Sequence, residues 1–109
     1  MNYDVITIWP FDRQAKRLVK KYPSLKIELQ TLFKSLKENP VQGTFLGDNC
    51  YKIRLSIASK AKGKSGGARV ITHLYISQNT IILLAIYDKG EQSSISEKKI
   101  KDLLKLILK

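Results

Sequence analysis

The chain has 109 residues, 43% of them hydrophobic, which is enough for one domain with one modest core and too few for two. Twenty Lys and Arg against nine Asp and Glu leave a net charge of +11; such an excess resists compaction and points to a polyanionic partner. No apolar run reaches the roughly 20 residues of a membrane span, the opening residues lack the basic and small-residue pattern of a signal peptide, and the lone Cys50 can neither form an internal disulfide nor build a zinc site. A single domain over 1–109, without membrane association and in a reducing, cytoplasmic setting, is the expectation.

"YDVITIW" alternates loosely and predicts a first strand ended by Pro10. Phe11, Ala15, Leu18, Val19 and Tyr22 then recur at helical spacing, with Asp12 as candidate N-cap and Pro23 as the stop. Ser24 can cap a second helix, whose stripe is Leu25, Leu29, Leu32, Phe33 and Leu36. The tight connection predicts an antiparallel helical hairpin.

Residues 39–49, "NPVQGTFLGDN", read as a loop. In "YKIRLSIA" Tyr51, Ile53, Leu55 and Ile57 share one face and Lys52, Arg54 and Ser56 the other. "ARVITHLYI" predicts the next strand, with Arg69, Ile71, His73 and Tyr75 on one side. "TIILLAIY", apolar on both faces, predicts a covered central strand. Ser94 to Glu97 has the spacing of a capping box ahead of a last helix striped by Ile100, Leu103, Leu104, Ile107 and Leu108. The order is β-α-α-β-β-β-α: an α+β fold with an antiparallel sheet, an N-terminal helical hairpin and a C-terminal helix.

Charge is unevenly distributed. No acidic residue occurs from Asn49 through Tyr87, whereas Lys52, Arg54, Lys60, Lys62, Lys64 and Arg69 all fall in that window. If Arg69 shares the face of Lys52 and Arg54, three cations converge, and Tyr87 and Lys89 bring a phenol and an ammonium to the same rim. "KAKGKSGGAR" joins the two basic strands. Its glycines let backbone N–H groups approach an anion, and Lys60, Lys62 and Lys64 make it a candidate phosphate clamp. His73 and Cys50 read more simply as a sheet-face residue and a small hydrophobe. RNA supplies its own nucleophile, the 2′-OH, so a cationic patch with a proton donor can in principle cleave it without a metal or other cofactor.

"CYKIRLSI", "GKSGGARVIT" and "LLAIYDKGE", after a basic helical hairpin, resemble the RelE/ParE superfamily of type II toxins, on its RelE/HigB-like branch. The resemblance covers nearly the whole chain. It implies a RelE-like fold and a ribosome-dependent endoribonuclease that cuts mRNA in the ribosomal A site and is restrained by a cognate antitoxin. It places the catalytic residues at Lys52, Arg54, Arg69, Tyr87 and Lys89. The chain departs from RelE in having Gly90 after Lys89 and no tyrosine in "QSSISEKK". The general acid and base are therefore open. A ParE-like gyrase poison and a non-catalytic RNA-binding protein are the other readings.

Overall fold

The computed structural model describes residues 2–60 and 63–107, without the side chains of 64 and 65. Strand β1 (Asp4–Thr7) leads into helix α1 (Trp9–Lys21) and, after a tight corner, helix α2 (Leu25–Glu38). A hairpin of β2 (Thr44–Gly47) and β3 (Cys50–Leu55) follows. A 3-10 turn (Ala58–Lys60) and a single helical turn α3 (Gly63–Gly66) then connect to β4 (Ala68–Tyr75). A second 3-10 turn at Ile76–Gln78 reverses the chain into β5 (Thr80–Asp88), and α4 (Glu97–Leu104) comes last.

The five strands form one sheet in the order β1-β5-β4-β3-β2. Among the described residues only β1 runs parallel to its neighbour, with Asp4 opposite Thr80 and Thr7 opposite Leu83, so the sheet is mixed. Each face covers its own core. Phe11, Leu18, Leu25, Leu32 and Leu36 of α1 and α2 pack on Ile53, Val70, Ile81, Leu83 and Ile86. On the other face Ile100, Leu103 and Leu104 of α4 pack on Cys50, Ile71, Ile82, Leu84 and Tyr87. Burial on both sides explains why β5 reads as an unbroken apolar run. No helix of the described residues is long and apolar enough to cross a membrane.

Three local expectations change. Residues 44–47 are a strand, not loop: Asp48 (φ 51°) and Asn49 (φ 57°) both take the left-handed conformation that a two-residue hairpin turn demands, and Thr44 pairs with Lys52. Helix α1 starts at Trp9, with Pro10 in its first turn, where a missing N–H is harmless. Asp12 is therefore inside the first turn and Ile8 is the N-cap. At α4 the cap is Ser96, whose hydroxyl accepts from the Lys99 N–H at 3.1 Å; Ser94 lies two residues too early.

Candidate nucleic-acid interface

The β3–β4 register puts Arg54 opposite Arg69, and the β4–β5 register puts Arg69 opposite Tyr87. The three side chains thus form one row across three strands, with neighbouring Cβ atoms about 5 Å apart. Lys52, two residues before Arg54, shares its face and stands opposite Ile71. Like charges directly opposite one another are destabilising on their own, and Arg69 makes other interactions besides.

Tyr87 reaches the row through an irregularity. Pairing shifts between Ile71 and Thr72, where Ile71 faces Ala85 but Thr72 faces Leu83. Leu84 is the extra residue of a β-bulge. Up to Leu83 the odd-numbered residues of β5 pack toward α1 and α2. Beyond the bulge the parity flips, so Ile86 faces those helices and Tyr87 the α4 side. Without the extra residue Tyr87 would point away from both arginines.

The row deepens from edge to centre. Arg54 is exposed and Lys52 half-buried, whereas Arg69 is only 5% exposed and Tyr87 is buried beside it. Arg69 donates to the Ala68 carbonyl oxygen at 3.2 Å and makes further interactions. Burial pushes the Tyr87 phenol above its ordinary value, and the charge of Arg69 pulls the other way. With burial winning, the phenol holds its proton at neutral pH and can donate it.

Behind the row the chain is pinned by Asp88, almost wholly buried. Its carboxylate accepts from Lys60 Nζ, from the Tyr22 hydroxyl at 2.7 Å and from the Gly90 N–H at 2.9 Å. Burial alone would raise this carboxyl, but those donors overcome it and hold it at about 2. Lys60 is therefore engaged in an ion pair in this structure. The other end of the same 3-10 turn is tied to α2: Ser24 and Ser59 exchange hydroxyl and N–H hydrogen bonds at 2.9 Å, and Glu28 accepts from the Ala58 N–H at 2.7 Å. Lys89 lies just past β5 and donates to the Ser93 carbonyl oxygen. Lys62 lies outside the described residues, as does the Lys64 side chain.

Gly67, at the end of the β3–β4 connection, serves packing. A Cβ on Gly67 would lie 2.1 Å from the Leu55 carbonyl oxygen, and the Gly67 oxygen accepts from the Lys89 N–H at 3.0 Å. These contacts hold the starts of β4 and of the post-β5 segment together.

His73 is buried opposite Cys50, with its Nδ1 3.6 Å from Sγ. Burial lowers the imidazole and raises the thiol to about 11, so both are neutral near pH 7. Among the described residues no three His, Cys, Asp or Glu side chains gather as metal ligands would.

No family model matches the chain. Solved structures do. An arginine-to-alanine double mutant of the E. coli toxin RelE in the free state aligns over 99% of this chain and 100% of its own, with a TM-score of 0.66 at 15% identity. The isolated E. coli RelE toxin in a P21 crystal form aligns over 96% and 99%, with a TM-score of 0.60 at 14% identity. The chain has a RelE-like fold.

Proposed function

We propose that the protein is a toxin of a type II toxin–antitoxin system and acts as an endoribonuclease on mRNA held in the ribosomal A site. The observation that carries this reading is the row of Arg54, Arg69 and Tyr87 across β3, β4 and β5, in a chain of net charge +11 with a RelE-like fold.

In the proposed reaction the ribose 2′-oxygen attacks the adjacent phosphorus. The P–O5′ bond breaks, giving a 2′,3′-cyclic phosphate and a 5′-hydroxyl. Arg54 and Arg69 stabilise the extra charge on the phosphoryl oxygens, a geometry that suits forked guanidinium groups. Tyr87, which keeps its proton, supplies it to the departing O5′. Lys52, on the same face two residues before Arg54, adds positive charge beside the phosphate, and the 2′-hydroxyl proton passes to solvent. Lys89 contributes charge at the rim, and Lys60, Lys62 and Lys64 belong to the segment that follows the RNA backbone. For Lys60 that role requires release from Asp88.

The test uses purified protein and ribosomes programmed with a defined A-site codon. Wild-type protein should cut within that codon, leaving cyclic-phosphate ends. Arg54→Ala and Arg69→Ala, checked for fold by circular dichroism, should each slow single-turnover cleavage about 100-fold or more. Intact mRNA with wild-type protein overturns the nuclease reading, and inhibition of gyrase supercoiling in its place would identify a gyrase poison.

A further inference from the structure

The chain has one tryptophan, and it is not in the core. Trp9 is 67% exposed, an unusual place for the largest apolar side chain. Strand β1 stops opposite Leu83, so the later part of β5 has no strand on that side. There α1, the segment after β5 and α4 enclose a recess of about 330 Å³, lined among others by Trp9, Arg13, Tyr87, Gln92 and Lys99. The Arg13 guanidinium lies over the indole, 5.5 Å from its centroid, which orients the ring from one side. Glu91 also lines the recess but is committed to Arg17 at 2.7 Å and Lys21 at 2.9 Å. Among the described residues Lys99 and Arg13 have no acidic partner, so the recess presents net positive charge.

We infer that the recess of Trp9, Arg13 and Lys99 is a subsite for one unpaired base of single-stranded RNA, stacked on the Trp9 indole beside the scissile phosphate at Tyr87. The inference rests on the RNA reading above and adds to it a base-stacking residue. Tyr87 belongs both to the arginine row and to the recess wall, so a strand whose phosphate lies on Arg54 and Arg69 can continue into the recess. An exposed indole with flanking cations is the combination that binds unpaired nucleotides, because every base offers a face to stack and every linkage a charge to neutralise.

Trp9 fluorescence reports the event without a label. The probe is a 2′-O-methyl RNA hexamer, which cannot be cleaved, beside an abasic hexamer of equal charge. The base-bearing hexamer should quench Trp9, and the abasic one should not. Followed by the anisotropy of a fluorescein-labelled hexamer, since these variants keep no tryptophan, Trp9→Ala should weaken binding about 10-fold, and Trp9→Phe should restore most of it. On programmed ribosomes Trp9→Ala should raise the half-saturating concentration, with the cyclic-phosphate ends unchanged. Equal quenching by both hexamers, quenching by neither, or Trp9→Ala binding as tightly as wild type overturns the subsite. Quenching by the base-bearing hexamer without cleavage of ribosome-bound mRNA would keep the subsite and remove the nuclease reading. Cleavage by wild type with Trp9→Ala unaltered would do the reverse.

Discussion

Asp88 is the residue on which the neighbourhood of the row depends. It draws together Tyr22 at the end of α1, Lys60 before the glycine-rich connection and Gly90 after β5. Its carboxyl is held at about 2, below the ordinary aspartate value of 3.8. A depressed carboxylate contributes stability that is complete above its unfolded value and is lost as pH falls through its folded value. The contribution should therefore disappear between about pH 4 and pH 2. Asp88→Asn should destabilise the wild-type fold by about 3 kcal/mol at pH 7, since it strands a largely buried ammonium, and should flatten the acid limb. Urea unfolding midpoints measured from pH 2 to 7 check both. None of this was legible in the sequence, where Asp88 is an ordinary polar residue at a strand end. Its partners lie 28 and 66 residues away, and only the fold brings them together.

At the scale of elements, the helices and the three long strands follow directly from periodicity and punctuation. What periodicity missed were the devices that break it. The extra residue at Leu84 hides inside an apolar run in which every position is buried or nearly so, and alternation carries no signal there. Face assignment of Tyr87 therefore needed the register, whereas that of Arg54 on its cleanly alternating strand did not. The β2–β3 hairpin was concealed by reading Gly47, Asp48 and Asn49 as loop composition, although Asp-Asn is chemistry suited to a two-residue turn. The glycine-rich connection carries a distinct expectation. Because Gly67 lies against backbone, which cannot rotate out of the way, Gly67→Ala should cost about 2 kcal/mol and shift the start of β4 that carries Arg69. A fall in the thermal midpoint, together with loss of cleavage, checks it. An unperturbed midpoint would show that the connection is looser than its packing implies.

Over the whole molecule, charge was the most legible property of all, since the acid-free window from Asn49 through Tyr87 covers β3, β4 and nearly all of β5. The candidate residues Lys52, Arg54, Arg69 and Tyr87 do lie on one sheet face. The sequence could not show that Lys60 is paired with Asp88 or that Trp9 stands outside the core, because both depend on contacts between distant segments. A basic surface that neutralises phosphates releases counterions, so association with ribosomes should weaken steeply with salt. Removing both Lys52 and Arg54 should lower the log–log slope by about 1.4, at roughly 0.7 per lost contact to flexible RNA. Sedimentation at several potassium concentrations measures it, and an unchanged slope would place the RNA elsewhere on the surface.

The row of Arg54, Arg69 and Tyr87 also has a history in the synthesis of each molecule. Its members come from three strands, and the last lies in β5, which must pair with β1 from the very start of the chain. A growing polypeptide that has passed Arg69 has two like charges to set side by side and no phenol to complete the row. Until residues 80–88 emerge, the first strand has no partner and the sheet no centre. A chain cut short by a stop codon anywhere before Tyr87 lacks the assembled feature altogether.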